Sequence, residues 1–203
     1  MSGTSAFTGD VPRETLERLD IYAGLLRKWN PAINIVAPST LDDLWTRHIA
    51  DSLQIARLAD PQGHWVDLGS GGGFPGVVIA IAHAESAAFS MTMIESDQRK
   101  ATFIRTVLRE TGISAKVIAE RIESAPPQDA DVLTARALAA LPKLLDFSAR
   151  HRKPDGLSLF PKGASWRDEI AEAERNWRFH YEASESTTNP GSVILKIGEC
   201  TRG

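Results

Sequence analysis

The sequence predicts an α/β protein: a doubly wound, mostly parallel sheet with an antiparallel hairpin at one edge and a helical extension on its N-terminal side. Three observations predict it. Short apolar runs alternate with amphipathic stretches from residue 61 onward. A glycine-rich turn, Asp67-Leu-Gly-Ser-Gly-Gly-Gly-Phe-Pro-Gly76, follows directly on the first of these runs. Two helical patterns precede Pro61.

Between Pro12 and Asn30 the apolar residues Leu16, Leu19, Tyr22, Ala23, Leu26 and Trp29 recur at helical spacing. Pro12 suits a first turn, and Asn30-Pro31 is expected to end the helix. A second helix is expected from Ser39, where Asp42 completes a capping-box-like start and Leu41, Leu44, Trp45, Ile49, Leu53 and Ala56 form the apolar stripe. Residues 1–60 are therefore read as a helical extension and 61–203 as one globular core. Within the core, strands are expected at His64–Leu68, Phe89–Ile94, Ala115–Ala119, Val132–Ala135 and Leu157–Phe160. Helices are expected at Val77–His83, Gln98–Thr111, Leu141–Ala149 and Ser165–Asn176. The last two strands, Phe179–Ala183 and Ser192–Ile197, are joined by Ser, Thr, Asn, Pro and Gly, which suits an antiparallel hairpin.

Composition narrows the class. Apolar residues make up 42% of the 203 and charged residues 24%, ordinary values for a globular protein. Met1–Asp10 has no basic flank or apolar core of a leader, and the apolar run at Val77–Ala82 is too short to span a bilayer, so an unexported cytoplasmic protein without a membrane partner is expected. The lone Cys200 rules out an internal disulfide and fits a reducing compartment. A formal net charge of −3 gives no general attraction for phosphate, so any nucleic-acid contact must use a local basic face. No Cys or His spacing suggests a metal site.

Gly69, Gly71 and Gly73 let the backbone turn tightly and approach a ligand without interference from a Cβ. Glu95 ends the next strand, where a carboxylate can accept hydrogen bonds from both hydroxyls of a ribose. Together they point to a nucleoside-containing cofactor. Gly71, Gly73 and Gly76 also satisfy a dinucleotide spacing, but Pro75 removes one amide donor that a pyrophosphate would use. Asp67, before the first glycine, can order the loop or face the ammonium group of a methyl donor. Both details favour S-adenosyl-L-methionine over a nicotinamide cofactor.

Lys28-Trp-Asn30, Arg47-His-Ile-Ala-Asp-Ser52, the glycine turn, Thr134-Ala-Arg-Ala137 and Phe160-Pro-Lys-Gly163 resemble the bacterial 16S ribosomal RNA guanine-N7 methyltransferases, also called the glucose-inhibited division protein B family. The likeness runs from about Trp29 to Lys196. It implies a Rossmann-like class I methyltransferase fold, S-adenosyl-L-methionine as methyl donor, and 16S ribosomal RNA or the small ribosomal subunit as partner of a monomeric enzyme. It implies further that Gly69 and Phe74 contact the cofactor, that Ile122 and Glu123 flank its adenine, and that Arg136 sits beside cofactor or target base. Asn34, Arg47, His48, Asp51, Ser52 and Lys162 are placed around the mouth of the site, with Arg136 and Lys162 positioning the reactants. Two positions depart from the family pattern: Ala135 stands where Ser is frequent, and Ile33 where an aromatic often precedes Asn34.

Read without the resemblance, Arg47 and Asp51, four apart, make an ordinary surface ion pair on a helix. Arg99, Lys100, Arg105 and Arg109 load one helix with positive charge that can either track phosphates or simply face solvent. Three other readings use the same turn: a methyltransferase for a small molecule, an RNA-associated module with a non-catalytic donor pocket, and a nicotinamide-dependent oxidoreductase.

Overall fold

The structure is a computed structural model that describes residues 11–203. The reading of Met1–Asp10 lies outside the described residues. Seven strands form one sheet: β1 (Gly63–Leu68), β2 (Phe89–Ile94), β3 (Lys116–Ile118), β4 (Ala130–Ala135), β5 (Arg152–Lys162), β6 (Trp177–Glu185) and β7 (Val193–Arg202). Their order across the sheet is β3-β2-β1-β4-β5-β7-β6. The first five pair in parallel. The hairpin expected at the edge forms, and it is β7 that slots between β5 and β6, antiparallel to both.

Neighbouring residues along the strands separate into two cores, as the two-residue period of a strand requires. Trp65, Met93, Val132, Leu159 and Ile194 belong to one, and Val66, Ile94, Leu133, Phe160 and Leu195 to the other. The first core is covered by α1 (Arg13–Ile33), α2 (Asp51–Ala56), α3 (Gly76–Ala82) and α4 (Gln98–Thr111), and the second by α5 (Leu141–His151) and α6 (Trp166–Ala173). With both faces buried, the central strands are mostly apolar, and that is why they read as short near-continuous runs; the buried Asp67 and Thr134 are the polar exceptions near the site. Asp97 caps α4 by accepting hydrogen bonds from the amides of Arg99 and Lys100, and Gly112 ends it in a left-handed conformation.

The N-terminal helices depart from expectation in two places. α1 runs through Pro31 to Ile33 rather than stopping at Asn30. Proline withholds one helical donor, but the last turn is held by the Asn34 amide on the Asn30 carbonyl at 2.9 Å and by the Val36 amide on Asn30 Oδ1 at 2.8 Å. The continuous helix expected from Ser39 does not form. A short 3₁₀ turn at Pro38–Thr40 is followed by a π-helical segment at Trp45–Ala50 that runs into α2, and Ser39 makes no cap. Thr40 turns its hydroxyl onto the Ala37 carbonyl instead, a local bond that competes with helical pairing.

Going outward from β1 to β2 and β3 and returning to β4 creates a switch point between β1 and β4. A crevice opens outside the carboxyl ends of the strands at such a point.

Candidate active site

Two adjoining clefts occupy that crevice. The first, of about 560 Å³, is lined by the glycine turn, Glu95, Ile122 and Glu123 after β3, and Arg136–Ala139 after β4. The second, of about 770 Å³, is lined by Arg47, His48, Asp51, Lys162, Glu169 and the β6–β7 loop. The stretch Arg136–Ala139 is common to both.

The turn is built by backbone that other residues rarely adopt. Gly69, Gly71 and Gly73 have φ of +62°, +56° and +94°. A Cβ on Gly69 would lie 2.6 Å from Leu138 Cδ1, and one on Gly76 would lie 2.7 Å from Asp67 Oδ2. Beneath the turn, fully buried Asp67 accepts from the Thr134 hydroxyl at 2.8 Å and from the Gly76 amide at 3.2 Å. Burial pushes its carboxyl up to about 6, against the pull of those donors. Of the two roles open to Asp67, the geometry assigns loop ordering; neither it nor Gly73 lines the cleft.

Glu95 accepts from the Gly71 amide at 2.7 Å through one oxygen and from the Asp97 amide at 2.7 Å through the other. Each oxygen has a further lone pair, so the carboxylate shapes the turn and keeps acceptor capacity toward the cleft. Phe74 is packed between Tyr22, His48 and Arg136: ring centroids lie 5.1 Å from Tyr22 and 5.1 Å from His48, and the guanidinium carbon stands 5.0 Å above the ring. Buried Ile122 offers an apolar face on the far side, while exposed Glu123 pairs with Lys143 at 3.8 Å.

In the second cleft the charges are paired. Arg136 meets Asp51 at 3.7 Å, both less than a fifth exposed. Lys162, 6% exposed, donates to Glu169 Oε2 at 2.7 Å and to the Ala139 carbonyl at 2.8 Å. The surface ion pair between Arg47 and Asp51 is therefore not made, and Arg47 stands exposed at the rim. The same Asp51 accepts from the Thr188 hydroxyl at 3.2 Å, and Gln54 ties the loop further through the Glu185 carbonyl and the Thr187 amide.

His48 has a defined state. The Thr40 hydroxyl gives its proton to the Ala37 carbonyl, so His48 Nε2 must donate to Thr40, 3.1 Å away, and Nδ1 is bare and buried. Burial first, then Arg136 and Arg47, push the imidazole down to about 4, which keeps it neutral at ordinary pH. Ser52 is buried and donates to the His48 carbonyl at 2.6 Å, so it supports the segment rather than facing the cleft. Asn34 lies exposed at the end of α1 in a left-handed conformation, and its neighbours Ile35 and Val36 line the first cleft in its place.

Two residues of the site carried no signal in the sequence. Tyr22 looks like one more apolar position of α1, yet its hydroxyl donates to the Gly72 carbonyl at 2.6 Å. Glu169 looks like one charge among several in α6, yet it holds Lys162. On α4, Arg99 and Arg109 pair with Asp97 and Glu110, Arg105 donates to the Val117 carbonyl, and of the four Lys100 alone lines either of these two clefts. Among the described residues there is no cluster that could hold a metal ion, and no helix is long and apolar enough to cross a membrane.

Comparison with known proteins agrees with this arrangement. The chain is 53% identical over 198 residues to the ribosomal RNA small subunit methyltransferase G of Ruegeria pomeroyi, covering 97% of each, and 49% identical to that of Paracoccus denitrificans, covering 92% of this chain and 96% of the relative. A methyltransferase structure from Geobacter sulfurreducens superposes with a TM-score of 0.60 at 17% identity, covering 96% and 94% of the two chains. The TYW2 of M. jannaschii, solved in complex with AdoMet, gives 0.59 at 14%, covering 79% and 78%. These likenesses establish the class I methyltransferase fold. The profile of the rRNA small subunit methyltransferase G (GidB) family matches residues 15–194, and the chain belongs to that family.

Proposed function

We propose that this ribosomal RNA methyltransferase transfers the methyl group of S-adenosyl-L-methionine to N7 of a guanine in 16S RNA of the small ribosomal subunit, acting as a cytoplasmic monomer without a metal ion. One observation carries the reading: a cleft suited to adenosine and a second, charge-lined cleft share Arg136–Ala139 as a common wall. In the first, Glu95 would hold the ribose, Ile122 and Glu123 the adenine, and the backbone of Gly69 and Gly71 with Phe74 the rest of the cofactor. When bound, the cofactor supplies an electrophilic methyl group on a sulfonium. Guanine N7 has a lone pair and no proton, so no residue is required as a general base, in keeping with the neutral, weakly basic His48. What the chain contributes is alignment. Arg136 would seat the base, Arg47 would meet a phosphate at the rim, and Asp51 would hold Arg136 in place. Arg47, His48 and Asp51 of the N-terminal extension then complete the substrate side of the 61–203 core.

Incubation with labelled S-adenosyl-L-methionine and either unmodified small subunits or extracted RNA tests this, with nucleoside analysis of the product. We expect 7-methylguanosine at one position. Label in a small molecule alone, or in no acceptor, rejects the reading.

A further inference from the structure

Glu169 stands in the first turn of α6 and lines the second cleft with its side chain 23% exposed. Two donors converge on a single oxygen: Oε2 accepts from Lys162 Nζ at 2.7 Å and from the Leu141 amide at 2.8 Å. Lys162 is itself anchored on the Ala139 carbonyl, so the plane of the carboxylate is fixed from two sides. Its other oxygen, Oε1, accepts nothing from the described residues. It is not sealed in the interior either, since among the described residues the buried unpartnered side-chain atoms are His48 Nδ1 and His151 Nδ1. The second carboxylate of this cleft, Asp51, has both oxygens engaged, one by Thr188 and one by Arg136. Glu169 Oε1 is therefore the one carboxylate oxygen of this cleft with no hydrogen-bond or ion-pair partner among the described residues.

The chemistry of the target defines what such an oxygen can do. Guanine carries acceptors N7 and O6 on one edge and donors N1–H and the 2-amino group on the opposite side. With N7 turned toward the first cleft, the donor side faces the lining of the second, to which Glu169 belongs. A charged acceptor there matches guanine and opposes adenine, which offers an acceptor at N1 and nothing at C2. Resting on the function proposed above, we infer that Glu169 is the residue that selects guanine, Oε1 accepting from the N1–H and 2-amino side of the base. Lys162 acts through it, as a positioning residue.

The test compares 16S RNA with RNA in which splinted ligation has put inosine, lacking only the 2-amino group, at the mapped position of methylation. The unaltered protein is expected to methylate inosine with kcat/KM lower by roughly tenfold, the loss of one hydrogen bond to a charged acceptor. Glu169→Gln sharpens the comparison. Lys162 and Leu141 both donate, so the amide must turn its carbonyl toward them and present its NH2 to the base, where a donor meets donors. This variant should lose about a hundredfold on guanosine RNA and show no preference over inosine, with cofactor affinity by calorimetry unchanged. Equal rates on the two RNAs with the unaltered protein overturn the assignment, and so does a Glu169→Gln protein that keeps the preference. If the variant does not fold, the comparison with the unaltered protein decides alone. No transfer to either RNA sinks the proposed function itself, and this inference with it.

Discussion

The two clefts are made of different materials. The first is shaped by main chain: left-handed glycines, amides turned onto Glu95, and a buried Asp67 beneath the turn. The second is shaped by long side chains drawn together from distant parts of the chain, Asp51 with Arg136 and Lys162 with Glu169. Backbone geometry tolerates almost no substitution, whereas an exposed charge at the rim, such as Arg47, can be removed with the fold intact. The contrast implies that cofactor binding fails together with folding, and RNA transfer fails alone.

The largest expected effect is on the main-chain cleft. Gly76→Ala drives a methyl group into Asp67 and Met93, whose nearest atoms are 2.7 and 2.9 Å away, and should lower stability by about 3 kcal/mol in denaturant unfolding and weaken cofactor binding with it. A variant of unchanged stability breaks the contrast. Asp67 offers a pH test of similar size. Its folded carboxyl titrates near 6 and its unfolded one near 3.8, so the unfolded chain gives up its proton first as pH rises from about 4 to 6. Over that window the group removes up to about 3 kcal/mol of stability. His48 works the opposite way: held down to about 4, it favours the fold more as pH rises toward its ordinary 6.5. His64, His83 and His151, also held down by burial, act in the same direction as His48, so the unaltered protein should gain less stability from pH 4 to 6 than Asp67→Asn, in which the opposing contribution is gone.

Smaller effects separate the clefts. Glu95→Ala should cost about 2 kcal/mol of cofactor binding, roughly thirtyfold by calorimetry, because the ribose loses its charged acceptor and the Gly71 amide its partner. Arg47→Ala is expected to leave that affinity unchanged while transfer to RNA falls by about fivefold and its salt dependence becomes shallower by about one unit of log–log slope. Equal losses in both assays would instead indicate a folding defect.

The same contrast explains what could be read from residues alone. Every strand of the sheet and α3 through α6 follow from local pattern, because buried parallel strands and amphipathic helices leave a periodic trace. Glu95 and the glycines could be found because one turn and one strand end place them. The helix expected from Ser39 resisted: the choice of a 3₁₀ turn and a π-helical segment in its place depends on hydroxyls such as Thr40 and Ser52 finding carbonyls, which no periodicity reports. Asp51 pairs across 85 positions with Arg136 rather than four positions away with Arg47, and sequence spacing favours the nearer partner. Tyr22 and Glu169 were hidden for that reason, since their partners Gly72 and Lys162 are set by the tertiary fold.

Arg136 belongs to the walls of both clefts and is held by an aspartate that also grips the β6–β7 loop. A guanidinium shared in this way makes the two ligands thermodynamic neighbours. By whatever factor the RNA changes the protein's hold on the methyl donor, the donor changes its hold on the RNA equally. In the arrangement proposed above, demethylation would strip a positive charge from the donor near that cation, so the spent and fresh forms would differ in this influence.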